Sequence, residues 1–366
     1  MTEQKRRGEV DVARFTGICI VILQHSGMLK GDLLTFLTMF HMPLFFVLSG
    51  AFLKESSSLR RLSRRLLLPY LVFHILYFPF TLLWQYLHGQ LISRSLIASD
   101  LIRFFTLSGV SVSWFLSALF LSQLVFLGGL KLLKKKGERA AFLIVTALLL
   151  IPVRIFRLPV FELWYAHLDS DGAAAPFLYS VSHHLLLALC RIPMCVLMLA
   201  AGYYGRRLLP KLKTRWEKLS PAAAFFSALL ASVLLFFISG PAAIHNAAGN
   251  LALFEYGNSV FLFLCAALCG VAGTLCLSAA LCLIPGKAWK LLLKVICFYG
   301  RNTLVLFLSH LDFNLLYLSV LLSGFIPVVC SRGILRLPAI LVILLVIEFP
   351  LIKLYELISR PKKPKD

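Results

Sequence analysis

Runs of about twenty apolar residues recur along nearly the whole 366-residue chain, and each matches the length a helix needs to cross the hydrocarbon core of a bilayer. Ten can be placed, at about 12–30, 36–53, 67–88, 112–133, 140–156, 184–204, 220–240, 258–284, 300–323 and 337–358. Backbone N–H and C=O groups find no water in hydrocarbon, so such runs must satisfy themselves as helices. The expected fold is an all-α integral membrane protein, a bundle of about ten transmembrane helices. Composition points the same way: 60% of residues are hydrophobic and 14% charged, against about 25% charged in soluble domains. No polar stretch between the runs is long enough for a soluble domain, so residues 1–366 read as a single domain with short basic tails at 1–10 and 359–366.

The first run leads into "HMPLFFVLSG" rather than a small-residue cleavage site, which makes it a spanning helix and not a signal peptide. The nine cysteines lie almost entirely inside apolar runs and lack CxxC pairing, so they read as packing residues and no metal site is expected. Charge orients the bundle. Clusters at Lys5–Arg7, Lys54–Arg65, Lys131–Arg139, Arg206–Lys218, Lys287–Lys294 and Lys353–Lys365 hold most of the 37 Lys and Arg residues. They alternate with segments carrying few basic residues, such as Lys30, Arg94 and Arg103. By the positive-inside rule both termini are expected to be cytoplasmic. The net charge of +21 is therefore mostly topology. It is divided among six segments and forms no basic and aromatic face for nucleic acid, leaving the lipid bilayer as the generic partner.

Ionisable side chains inside a span cost roughly 2.5–3.5 kcal/mol each on insertion scales and are functional candidates by default. His25, Arg191, His310 and Asp312 qualify, with Asp11, Arg14 and Arg301 at span ends. Arg14 and His25 are eleven residues apart, which returns to nearly the same helix face ~16 Å along the axis. Asp11 sits one turn before Arg14, where it can hold the guanidinium. A groove seeing both would suit a long ligand with an anionic end and a reactive end, the shape of a coenzyme A thioester. A neutral imidazole at the far end could take the proton from an attacking hydroxyl. The same residues also admit a plainer reading, with His25 a packing hydrogen-bonder and Arg14 a snorkelling anchor. Pro43 removes a backbone donor and restricts Met42, so the chain at "FHMPLFF" is expected to break or kink at His41, facing the chain into a cavity or into packed protein.

"DVARFTGICIVILQH", "FHMPLFFVLSGAFL" and "RRLSRRLLLPYL" together resemble the N-terminal third of the membrane-bound acyltransferase-3 family, which O-acylates cell-surface polysaccharides and other envelope molecules. "SWFLSALFLSQL", "RIPMCVLMLAAGYYGRRL", "EYGNSVFLFLCAALCG" and "YGRNTLVLFLSH" resemble later landmarks in order, so the likeness runs over about residues 8–358. The spelling is similar to the branch of fucose and polysaccharide-adhesin acetylases and to the membrane half of certain serine racemases. The resemblance implies that His25 is the catalytic base; Asp11, placed by its spacing to hold Arg14, is counted with it as a catalytic candidate. The resemblance also implies that Arg14, Arg61, Arg64 and Arg65 bind the donor, since forked guanidiniums suit phosphates. Arg191 and Asn302 match family positions that are usually polar and are placed with His310 near the acceptor cavity, while the expected break at Pro43 turns His41 toward the acceptor site or into packed protein. The aromatic and amide-rich segments "FELWYAHLDSDG" (161–172) and "HNAAGNLALFEYGN" (245–258) could face a sugar.

The expectation is an acyl-CoA-dependent O-acyltransferase of the bacterial plasma membrane, acetyl-CoA being the expected co-substrate and a glycan or lipid-linked sugar the acceptor. No Ser or Cys is evidently paired with His25, and Cys19 lies nearly opposite on the helix, which favours direct general-base transfer. No esterase-like or racemase domain is read after the last span, so this domain is expected to complete transfer alone or with a separate partner. The rival class is a transporter or flippase moving an amino acid or lipid-linked sugar unchanged. Transporters often carry internal repeats, and none is evident between 1–180 and 184–366.

Overall fold

The computed structural model describes residues 8–89, 94–157, 177–207, 218–247, 249–326 and 335–359. These form α1 (Gly8–His25), α2 (Gly31–Ala51), α3 (Leu59–Leu87), α4 (Arg94–Phe105), α5 (Trp114–Leu132), α6 (Lys136–Leu148, continued past a turn to Arg157), α7 (Phe177–Gly205), α8 (Pro221–Asn246), α9 (Val260–Leu283), α10 (Lys287–Arg301), α11 (Thr303–Ser309), α12 (Leu315–Ser323) and α13 (Arg336–Ser359). Extended pairing among the described residues is limited to an isolated bridge between Asn250 and Glu255. Several starts are written locally. Ser58, Ser220 and Ser259 cap α3, α8 and α9 by accepting from the backbone N–H three residues on, and Pro221 follows Ser220 at the first helical position.

Among the described residues, eight helices are long and apolar enough to cross a membrane, or nine if α10 and α11 count as one bent span. The chain is thus a multi-pass membrane protein. α1 falls outside that number because its 18 residues include Glu9, Asp11 and Arg14. The expected span at 300–323 is not one helix. α10 and α11 meet at a 62° bend around Asn302, and a turn with Asn314 in the left-handed region (φ 56°) separates α11 from α12. Conversely, the break expected at His41 is absent, because α2 runs helically through Pro43. Removing one N–H from a helix interior is tolerated where neighbours pack around it, and Phe40, His41, Met42 and Leu44 are all buried.

Burial divides the spans into two layers. α2, α5 and α7 are mostly enclosed, whereas α3, α6, α8 and α13 turn broad apolar faces outward, such as Phe226, Leu230, Val233 and Phe237 on α8. Lipid tails satisfy such faces, so close packing between helices is what orders the interior. α2 and α7 meet through reciprocal glycines: a Cβ on Gly50 would lie 2.0 Å from the Leu199 carbonyl oxygen, and one on Gly202 would lie 1.9 Å from that of Val47. α10 reaches α1 in the same way, with Gly300 against the Asp11 carbonyl.

Residues of three of the basic clusters meet at one end of the bundle. Lys131 donates to the Ser57 carbonyl, Arg139 pairs with Glu55 at 3.3 Å, and Arg206 donates to the Leu53 carbonyl. Glu55 also accepts from Tyr203, and that hydrogen bond, ahead of the charge of Arg139, holds its carboxyl below the ordinary range. The Arg14 guanidinium sits 5.7 Å from the centre of the Phe52 ring at this same end.

Gly202→Ala is expected to cost about 1–3 kcal/mol, the range for overpacking, and to lower the unfolding midpoint in detergent. Gly128→Ala on α5, where a Cβ meets nothing within 4 Å, should be neutral or slightly stabilising through helix propensity.

Candidate functional site

His25 is the last residue of α1 and its side chain is exposed, whereas His310, just past the end of α11, is fully buried. The two rings stack with centroids 5.1 Å apart and planes 17° apart. His25 Nδ1 lies 2.8 Å from His310 Nε2. His310 Nδ1 lies 2.8 Å from the Leu306 carbonyl oxygen. A carbonyl can only accept, so His310 carries its proton on Nδ1 and, when neutral, offers a lone pair at Nε2. His25 must then donate from Nδ1. The outcome is a defined tautomer: His25 keeps its Nε2 lone pair, available as a base. The arrangement has the logic of a base oriented by a third group, with a buried imidazole as the orienter.

The break in the expected ninth span explains how the pair forms. A continuous helix would carry His310 onward in register, but the turn at 310–314 folds back so that the Leu316 N–H donates to the His310 carbonyl at 2.8 Å. α11 also packs on α1 and α13. Next to His310, Ser309 donates within 2.7 Å of the Val305 carbonyl and lies 2.6 Å from Glu348 Oε2 on α13. Glu348 is fully buried. Sequence reading passed over it, although an acid following "LPAILVILLVI" is the signal that flags an intramembrane functional residue.

The remaining candidates distribute themselves along the bundle. Arg14 stands ~16 Å along α1 from His25 and is held by Asp11, Nη1 to Oδ1 3.9 Å. Asp11 is thereby placed with Arg14 at the far end of α1 from His25, and the ring partner of His25 is His310. Arg61, Arg64 and Arg65, joined by Arg60 and Ser58, line a concavity of about 380 Å³ at the start of α3. It lies at the same end of the bundle as Phe52 and Arg14. Four guanidiniums beside the first turn of a helix are complementary to phosphate.

His41 is buried on α2 with Nδ1 donating to the Leu37 carbonyl at 3.1 Å, which leaves Nε2 as its acceptor. Arg191 is buried in α7 and serves main-chain oxygens: Nε donates to the Ala252 carbonyl at 2.6 Å and an Nη to that of Ser108, while Trp114 covers the guanidinium at 5.3 Å. Among the described residues no carboxylate lies within ion-pair distance of it, so it ties α7 to two loops. Asn302 caps the bend between α10 and α11, donating to the Phe298 carbonyl and to Glu356 Oε1 at 3.1 Å, about two helical turns from His310.

Of the two segments expected to face a sugar, 161–172 lies outside the described residues. In the other, Asn250 caps the Leu251–Leu253 turn, Asn246 donates to the Tyr256 carbonyl and Asn258 to that of His245, so these amides build the loop. A different cleft of about 220 Å³ opens between α3 and α4, walled by Phe78, Leu82 and Leu101 with Thr81, Gln85 and Asp100. Burial pushes the Asp100 carboxyl up, partly offset by Arg103. Among the described residues no cluster of three His, Cys, Asp or Glu side chains is placed to hold a metal ion, and the eight described cysteines are free thiols. Cys330 lies outside the described residues.

A family model described as an acyltransferase domain, that of the acyltransferase-3 family, matches residues 7–353. No curated protein matches the chain, and no solved structure does.

His310→Ala removes the acceptor for His25 Nδ1–H and frees the ring. Carbethoxylation of His25 by diethyl pyrocarbonate, read by mass spectrometry on the membrane-inserted protein, is expected to slow by about threefold or more, an effect of one lost hydrogen bond of about 1 kcal/mol.

Proposed function

The chain belongs to the acyltransferase-3 family, and from that premise we propose that it is an acyl-CoA-dependent O-acyltransferase, with acetyl the group transferred, of the bacterial plasma membrane. α1 and the broken segment α10–α12 complete ten passes in this reading, and the end of the bundle carrying the basic clusters is cytoplasmic, with both termini there. Arg61, Arg64 and Arg65 take the phosphates of the donor, with Arg14, steadied by Asp11, contacting the same molecule. The pantetheine arm runs along α1 and brings the thioester carbonyl to His25.

The acceptor, a glycan or lipid-linked sugar, presents a hydroxyl to His25 Nε2. As its oxygen attacks the thioester carbonyl, Nε2 takes the proton, and the resulting imidazolium is supported by Nδ1–H donation to His310 Nε2. Collapse breaks the carbon–sulfur bond, and the imidazolium proton passes to the departing thiolate. The products are an O-acyl ester and free coenzyme A, with His25 returned to its starting tautomer. His41, buried one helix away, and Arg191 shape the acceptor side, while Asn302 holds the bend that delivers His310.

The observation that carries this reading is the His25–His310 hydrogen bond, which leaves one imidazole nitrogen of an exposed residue as a preset base. A packing histidine would also seek a partner for its N–H; what favours the base role is that the ring is exposed and its Nε2 is left over.

The experiment is transfer of radiolabelled acetyl from acetyl-CoA into envelope glycans of the native organism by membranes carrying the wild type or a variant. Alkali-labile label is expected with the wild type, and His25→Ala should reduce its formation by about 10²–10⁴-fold, the usual worth of a general base. Arg61→Ala with Arg64→Ala should chiefly raise KM for acetyl-CoA. Full transfer by His25→Ala would overturn the base assignment. No label with folded wild type, together with movement of an unmodified substrate, would replace the reading with transport.

A further inference from the structure

Glu348 is a fully buried acid that the transfer chemistry above does not use. It sits near the middle of α13, fully buried, with Oε2 2.6 Å from Ser309 Oγ. Ser309 Oγ is also 2.7 Å from the Val305 carbonyl oxygen. A serine hydroxyl has one proton to give, and both neighbours are acceptors if Glu348 is ionised. One of two short oxygen–oxygen contacts would then have no hydrogen between its atoms. A protonated Oε2 resolves the count: Ser309 donates to Val305, and Glu348 donates to Ser309.

The surroundings agree with a neutral acid. Glu348 Oε1 has no hydrogen-bond partner among the described residues, a tolerable state for a carboxylic carbonyl and a costly one for half of a buried carboxylate. Around it, α11 brings no ionisable side chain before His310, α10 brings Tyr299, whose hydroxyl donates to the Leu345 carbonyl, and α12 carries the exposed Tyr317. α1 contributes Asp11, Arg14 and His25. On α13 itself, Lys353 is engaged with Glu356 at 3.1 Å, toward the end of the helix. No described cation lies within ion-pair distance of Glu348.

We propose that Glu348 is a protonated carboxylic acid and a positioning residue, which fixes Ser309 and thereby sets His310 in register with His25. This rests on the functional reading above for its purpose, but not for its chemistry. Ser309 and His310 are chain neighbours at the end of α11, so a hydrogen bond from α13 to the first fixes the start of the second. A neutral acid also leaves His310 neutral. A carboxylate beside it would draw a proton onto the ring, turn His310 Nε2 into a donor, and place it against the donating Nδ1 of His25. The acid therefore protects the acceptor character of His310 Nε2 and with it the free lone pair on His25.

The test compares Glu348→Gln, Glu348→Ala and Ser309→Ala with the wild type in membranes at neutral pH. The difference infrared spectrum between wild type and Glu348→Gln should contain a protonated carboxylic acid carbonyl band that shifts on deuteration; its absence overturns the proposal. The rate of His25 carbethoxylation is followed against pH. Glu348→Gln, whose amide N–H can replace the acid O–H toward Ser309, should keep both the rate and its midpoint. Glu348→Ala and Ser309→Ala should each slow it about threefold or more, in line with a lost hydrogen bond. A midpoint displaced by about one pH unit in Glu348→Gln would identify an ionised counter-charge and sink the proposal, as would unchanged rates in both alanine variants. If Glu348→Ala fails to fold, Ser309→Ala and the infrared comparison still decide. Neither readout needs acyl transfer, so an inactive wild type would refute the proposed function without touching this inference.

Discussion

Inside hydrocarbon a side chain with a hydrogen to donate has no water to receive it, and in this bundle the answer is repeatedly the carbonyl one turn back. Thr16, Thr106, Ser122, Thr146, Thr274 and Ser278 all donate to the residue four earlier. Four histidines do likewise. His41, His74, His88 and His310 each set Nδ1 against the i−4 carbonyl, at 3.1, 2.7, 2.9 and 2.8 Å. The backbone thus dictates the tautomer of each ring and leaves each Nε2 as an acceptor. His25 departs from the pattern: its Nδ1 is met by another imidazole, not by its own helix. That contact gives His25 a different role from those four, and the rest of the site is arranged to maintain it.

Maintaining it requires joining residues 285 positions apart in the chain. α1 and α11 are brought together by the 62° bend between α10 and α11 and by the close seating of Gly300 on the Asp11 carbonyl. A larger residue at 300 would push α10, and with it α11, away from α1. The interruption of an apolar run is therefore functional geometry. Non-helical backbone at membrane depth is tolerated where it is buried in protein, and here α11 beside it packs against α1, α10, α13 and the turn at Ser111–Ser113. The two ends of α1 then hold different chemistry, with an acid-steadied arginine near the cluster of basic segments and a free imidazole nitrogen one helix length away. A donor that spans them would be read by charge at one end and by hydrogen bonding at the other.

Several features were legible before any coordinates. The apolar runs announced a multi-pass helical bundle, and contacts such as Arg139 with Glu55 and Arg206 with the Leu53 carbonyl bring three of the basic clusters together. The eleven-residue spacing placed Arg14 and His25 on one helix, and the i,i+3 spacing anticipated Asp11 against Arg14. Other features were misread or missed. Proline chemistry suggested a break at His41, but one absent N–H is a small loss when α7 and α9 pack around α2. Glu348 was readable as an acid amid apolar residues, yet its meaning depends on Ser309, which no local pattern connects to it.

What the sequence alone determined is the set of things fixed by short-range geometry and by transfer of groups between water and lipid: which segments are helical and apolar, which ends are basic, and which residues share a face. The tertiary structure decided which polar groups find one another. His25 with His310, Ser309 with Glu348, and Arg191 with the carbonyls of Ala252 and Ser108 are pairings between distant segments. The reason is physical. A buried polar group must take whatever partner the packing supplies, and packing depends on where glycines allow backbones to touch and where helices bend, which hydropathy and spacing do not encode.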